Sequence, residues 1–398
     1  MKSIGIILLF TGFAAGQVTA PDRILGGLTD RALAEQASRL KTDDRIALYE
    51  GMARAKTENP HYQVLLAGAY IQKMRETGNF DYVERAGRLL DQLIAADSGN
   101  YEALRLRTEV ALERHQFKQA AEYSRQLIAV GPQDPWNFGT MGDAYIELGD
   151  YDKAADAYQK MINMRPDLSS YNRAAHYRFL INDMPGAIEI MKRAIDSGSK
   201  SSENIAWCWV ELGGYYLKSN RAAEAEAAFT SALRTFPGYH PAYGGLGKAR
   251  AAQGKMDEAV ASYTRAQSIV PLPDYAAGLY DLYLKAGKKD EAAKQLATID
   301  AIDALAKANG EKVNRNLALI FADHDHKLDR ALELAQAELE FRQDVYTYDA
   351  LAWALFKNGK VAEAGKAMEK AQRLGTPEPM FAMHAKAIRG AGGAEGTK

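Results

Sequence analysis

The sequence predicts an all-α fold, a solenoid made by stacking antiparallel helix pairs. Three observations predict it: a helix-turn-helix signature over residues 206–237, the return of that signature along most of the chain, and a soluble composition with a single cysteine. The last leaves helix packing, rather than disulfides, to hold 398 residues together.

In the signature, Trp209, Leu212, Gly213 and Tyr216 precede Ala225, Phe229, Ala232 and Pro237. Spacings of three and four put the first group on one face of one helix and the second group on one face of the next. Gly213 and Ala225 are small where two helices cross closely, and Pro237 stops the second helix for want of an amide hydrogen. A lone hairpin leaves its apolar face wet, so the pattern must recur.

Taken from the start, Lys2 and the apolar run 4–13, followed by Ala14, Ala15 and Gly16, predict a secretory signal peptide over residues 1–20, cleaved after Gly16 or Ala20. The run is short for a membrane span. The expected product is periplasmic or secreted, in a bacterial cell, with no membrane insertion after cleavage. Residues 21–60 form an N-terminal helical region marked by Leu28, Leu33, Leu40, Ile46 and Leu48, with Asp43 and Asp44 as a helix start. Asn59 and Pro60 interrupt it. Residues 61–376 form the array. Its first hairpin turns at Gly78 and Asn79 and carries Val83 and Gly87 where an alanine and an aromatic are preferred, as a worn or capping unit would.

Clearer units follow. Ala120, Ala154, Ala187, Ala225, Ala259, Ala292, Ala331 and Ala364 keep register, thirty-three or thirty-four residues apart in five of seven intervals. The two longer intervals place about five extra residues in 196–203 and 300–312. A capping helix is expected over 377–389 and a disordered tail over 390–398.

These residues resemble the tetratricopeptide repeat family across nearly all of 62–376. The resemblance implies a right-handed α-solenoid whose concave face, lined by the first helix of each pair, binds a peptide or protein partner. The inward positions implied for the first helices include Trp136, Asp143, Asn172, His176, Trp207, Lys248, Asn316 and Trp353, the expected partner-binding residues. Aromatics beside amides suit an extended peptide, whose main chain needs hydrogen bonds and whose side chains need apolar pockets. Some family members clamp a carboxyl terminus with asparagines and lysines. Asn172 fits that pattern, but Val210 and Gly244 depart from it, which favours a mixed groove for a longer segment.

Other chemistries have less support. Fifty basic residues against 51 acidic ones leave a formal charge of -1 and no electrostatic drive toward nucleic acid. Cys208, between Trp207 and Trp209, reads as a packed thiol. Asp323, His324, Asp325 and His326 could ligate a divalent ion but fall where a polar turn is expected, and His384 is remote in sequence. No Gly-x-Ser-x-Gly elbow, phosphate loop, His-Glu-x-x-His helix or paired-cysteine spacing occurs, so no enzyme activity, cofactor or metal is expected. The leading expectation is a non-enzymatic exported scaffold that holds a peptide or protein partner, with an envelope assembly as its setting. The alternatives are a self-associating homo-oligomer and a divergent hydrolase.

Overall fold

The computed structural model describes residues 37, 40–199, 201–308 and 314–395. The expected signal peptide, Leu28, Leu33 and residues 309–313 of the second long connection lie outside the described residues. Among the described residues there are twenty α-helices and no strand. Helix α1 (Thr42–Ala55) comes first. Nine hairpins follow: α2 (Pro60–Thr77) with α3 (Asp81–Ala96), α4 (Tyr101–Glu113) with α5 (Phe117–Val130), α6 (Pro135–Glu147) with α7 (Tyr151–Met164), α8 (Leu168–Leu180) with α9 (Met184–Ser197), and α10 (Ser202–Lys218) with α11 (Ala222–Thr235). The series continues with α12 (His240–Ala252) and α13 (Met256–Ile269), α14 (Pro273–Lys285) and α15 (Lys289–Ala308), α16 (Arg315–Asp323) and α17 (Leu328–Glu338), and α18 (Val345–Lys357) and α19 (Val361–Ala371). Helix α20 (Pro379–Glu395) closes the array.

Local chemistry sets the hairpins. First helices start on short polar caps: Asn100 accepts from the Ala103 amide, Asp344 accepts from the Thr347 amide, and Asp167 with Ser170 makes a reciprocal capping box. Asn59 caps α2 and Pro60 occupies its first turn, so the predicted interruption is a helix start. Each hairpin then turns on a left-handed residue: Gly78, His115, Gly149, Asn182, Asn220, Gly254, Gly287, Asp325 and Gly359. Glycine takes that conformation without steric cost, and asparagine and aspartate tolerate it better than most residues.

Packing follows the register. The eight key alanines are all between 0% and 1% exposed. A Cβ on Gly213 would lie 2.6 Å from the Phe229 ring, and one on Gly142 only 2.3 Å from Tyr158, so the small residues do mark close crossings. In the first hairpin Val83 is fully buried, and the room left by Gly87 is taken by the Arg114 guanidinium of the next unit. Ile46, Tyr49 and Met52 of α1 share a core with α2 and α3, so the described part of the N-terminal region docks on the array. Of the two insertions, one lies around 198–201 and the other lengthens α15 to 20 residues.

The C-terminal expectation needs correction. The backbone stays helical to Glu395, through residues expected to be disordered. Phe381, Ala385 and Ile388 are buried and anchor the helix, and extending an existing helix costs far less than nucleating one.

The array coils until it meets itself. The Val345 amide donates to the Tyr151 hydroxyl at 2.9 Å, across 194 residues, and the Thr376 hydroxyl donates to the Leu180 carbonyl at 2.6 Å, across 196. The Gln343 amide reaches the Glu147 carbonyl at 2.8 Å, while Gly78 faces Val270 and His240. Val345 and Phe381 join the same core as Phe179 and Tyr215. The near-constant separation identifies one turn of the coil, with successive turns in contact.

Candidate ligand-binding cavity

The inner face of the coil forms a half-open cavity of about 940 Å3, lined chiefly by the first helices α4, α6, α8 and α10. Phe80, Gly198 and Ser199 edge it, and Arg342 enters from the α17–α18 connection of the next turn. First helices face inward because their other faces are spent on the second helices and on stacking.

Five expected partner-binding residues meet on this lining: Trp136, Asp143, Asn172, His176 and Trp207. Trp207 is 36% exposed, and Trp136 is half-buried beneath the Arg105 guanidinium, 4.4 Å from its ring. Asp143 is already engaged. It takes a two-point contact from Arg173, with Nε to Oδ1 at 2.8 Å and Nη2 to Oδ2 at 2.6 Å, and accepts from the Tyr158 hydroxyl at 2.8 Å. Burial lowers His176 to about 4, so it faces the cavity as a neutral ring at pH 7.

The other three lie elsewhere. Lys248 is exposed on α12, outside the lining. Asn316 is exposed on α16, with its amide nitrogen 3.4 Å from Asp274. Trp353 is 8% exposed, stacked between Phe356 and His384 at 5.3 and 4.1 Å, with its indole nitrogen donating to Asp323 at 2.7 Å. Its repeat position points inward, but α20 covers it.

Sequence reasoning missed most of the charge. Seven carboxylates line the cavity: Glu109, Glu113, Asp143, Glu147, Asp167, Glu203 and Glu211. They face three guanidiniums, from Arg75, Arg173 and Arg342. Each guanidinium is taken: Arg75 by Glu109 and, at 4.0 Å, Glu203; Arg173 by Asp143; Arg342 by Glu147 and Glu338, both at 3.3 Å. Among the described residues the side chains of Glu113 and Glu211 have neither an ion pair nor a hydrogen bond. Burial, then the neighbouring Glu109, pushes Glu113 up to about 7, and burial also raises Glu203 and Glu211. Burial and then Asp344 raise Glu147. His115 is lowered to about 4 by burial, then by Arg342 and Arg315. One signal was available: Glu109 stands thirty-four residues before Asp143, and Glu113 thirty-four before Glu147, the repeat spacing.

The remaining candidates resolve into packing. Cys208 is fully buried and its thiol is pushed up to about 12 by burial. His324 pairs with Asp281 at 2.9 Å and His326 with Asp300 at 2.8 Å, so the two imidazoles engage different carboxylates. Among the described residues no group of three such side chains is placed to hold an ion. His384 is recruited after all, not to a metal but to Asp349 at 2.9 Å and Asp323 at 3.9 Å. No described helix is long and apolar enough to cross a membrane.

Residues 111–175 and 210–275 each match the family described as Tetratricopeptide repeat. Superkiller complex protein 3 of Homo sapiens is 28% identical over 224 residues, which is 52% of this chain but only 14% of that relative's length. Among solved structures, the APC/C hetero-tetramer Cut9-Hcn1 is similar with a TM-score of 0.52 at 15% identity, over 90% of this chain and 69% of that one. A monomeric mutant of IFIT1 with Gppp-AAAA is similar with a TM-score of 0.50 at 15% identity, over 84% and 76%. At such identity the likeness shows an all-α repeat solenoid.

Proposed function

The chain is a tetratricopeptide repeat protein, and from that premise we propose that it is a non-catalytic scaffold holding an extended segment of a partner protein in the cavity formed by α4, α6, α8 and α10. The observation that carries this is the convergence of Trp136, Asn172, His176 and Trp207, from three successive first helices, on one cavity of about 940 Å3. Exposed apolar surface supports it too: Trp207 and Phe80, 36% and 51% exposed, both face that space. The charged start and apolar run at the N-terminus support export, and a bacterial periplasm or exterior is the setting proposed.

The test is site-specific photo-crosslinking in the native host. A photoreactive phenylalanine at Trp207 should capture a partner, and the same group at Lys248 should not. Trp136→Ala with Asn172→Ala should abolish the capture while leaving helicity unchanged. Capture from Lys248 alone would sink the cavity assignment. Crosslinking to a second copy of the chain would replace the adaptor with a self-associating oligomer.

A further inference from the structure

Resting on that cavity assignment, we propose that the segment it receives is cationic, an extended peptide that places lysine or arginine side chains between the indoles of Trp136 and Trp207 and the carboxylates of Glu113 and Glu211. Charge complementarity is the main ground. The cavity wall carries seven carboxylates against three guanidiniums, and all three guanidiniums are already paired within the wall. What remains for a ligand is negative charge.

Burial separates this from an acidic solvent face. Glu203, 3% exposed, lines the cavity with an Oε2 that accepts no hydrogen bond and has Arg75 Nε no nearer than 4.0 Å. A buried carboxylate oxygen without a hydrogen bond costs free energy that a cationic donor would recover. Aromatic faces at the same wall attract cations, as Arg105 over Trp136 already shows. An acidic or carboxyl-terminal ligand would meet like charge.

Protonation state supplies a second handle. Glu113 is faced by Glu109 on its own helix, Arg75 from α2 and Glu203 from α10, and burial holds it at about 7. Glu211 is raised by burial and eased by Lys218. A bound cation favours their ionised forms, so affinity should rise with pH as Glu113 loses its proton.

The experiment uses three labelled, end-blocked hexapeptides of one neutral background, carrying two arginines, two glutamines or two glutamates. Fluorescence anisotropy of the intact protein is read at low salt. The arginine peptide should bind at least tenfold tighter than the glutamine peptide, with the glutamate peptide weakest. Glu113→Gln with Glu211→Gln should erase roughly tenfold of that preference while preserving the melting temperature, and wild-type affinity should rise roughly tenfold from pH 6 to pH 8. Equal binding of arginine and glutamine peptides, both crosslinking at position 207, would overturn the charge inference and keep the groove. Binding of none of them, with spermine binding in their place, would overturn the peptide inference. Arginine-peptide binding that never crosslinks at 207 would overturn the cavity assignment itself.

Discussion

Arg342→Ala should unlatch the two turns of the coil. Arg342 Nε lies 3.3 Å from Glu147 and 3.3 Å from Glu338, and its guanidinium sits 5.1 Å from the centre of the Phe117 ring. Glu338 is only 1% exposed, so removing its cation strands a buried charge. Breaking such a pair costs about 3–5 kcal/mol, and the ring contact about 0.5–2 kcal/mol. The penalties overlap, because Glu338 can take up a proton, so about 3 kcal/mol is expected locally. Two reporters bridge the turns: the Gln343 amide, bonded to the Glu147 carbonyl, and the Val345 amide, bonded to the Tyr151 hydroxyl. Native-state hydrogen exchange should show their protection falling about a hundredfold, with much smaller changes in α12 and α13. Adding Glu338→Gln should restore part of the protection by removing the stranded charge. Unchanged protection at both amides would refute the idea that Arg342 latches the turns.

Other expectations follow from the same contacts. Gly245→Ala would drive a Cβ to 2.3 Å from the Phe229 ring and should destabilise by about 1–3 kcal/mol despite the better helix propensity of alanine, whereas Gly365→Ala on α19, with nothing within 4 Å, should stabilise by about 0.5–1 kcal/mol; thermal melts give both signs. Trp353→Ala should lower the melting temperature through a loss of about 3–5 kcal/mol and leave peptide affinity alone, while Trp207→Ala should do the reverse in anisotropy and melting assays. For His384, burial works to lower its pKa, but the nearby Asp323 carboxylate at 3.9 Å and the hydrogen-bonded Asp349 at 2.9 Å outweigh that and hold it at about 9, above its unfolded value. Its contribution, at most about 3 kcal/mol, is therefore present in full below about pH 6.5 and lost as pH rises through about 9. Melts of wild type and His384→Gln should converge above that pH.

How much of this was legible beforehand depends on whether a contact is local. Trp209, Leu212, Gly213 and Ala225 announce their hairpin because i, i+3 and i+4 geometry lies within the segment itself, and the neighbour they need sits about thirty-four residues on. Trp136, Asn172, His176 and Trp207 were expected to face inward from the resemblance to the repeat family, which carries over because each sits at a fixed place in its own repeat. Trp353 occupies an equivalent position, yet α20 covers it, a contact its own repeat does not encode. His384 looked isolated and is pinned between two aspartates for a related reason. The left-handed turn residues, His115 and Asp325 among them, keep the register as well as the alanines do. Apart from Gly78 and the turn at 323–326 they escaped notice, because only some of them are glycine.

From the sequence alone come the helices, their pairing and the all-α solenoid, since each depends on side chains one or two helices apart, while the inward face of the first helices came with the family resemblance. The tertiary structure alone decided how far the array coils before residues nearly 200 apart meet, that Arg342 reaches into a cavity built by α4 to α10, and that Glu113 and Glu211 have no partner there among the described residues. Those outcomes depend on small angles added over several units. A five-residue insertion before α10 or within α15 changes that sum while leaving every local pattern intact.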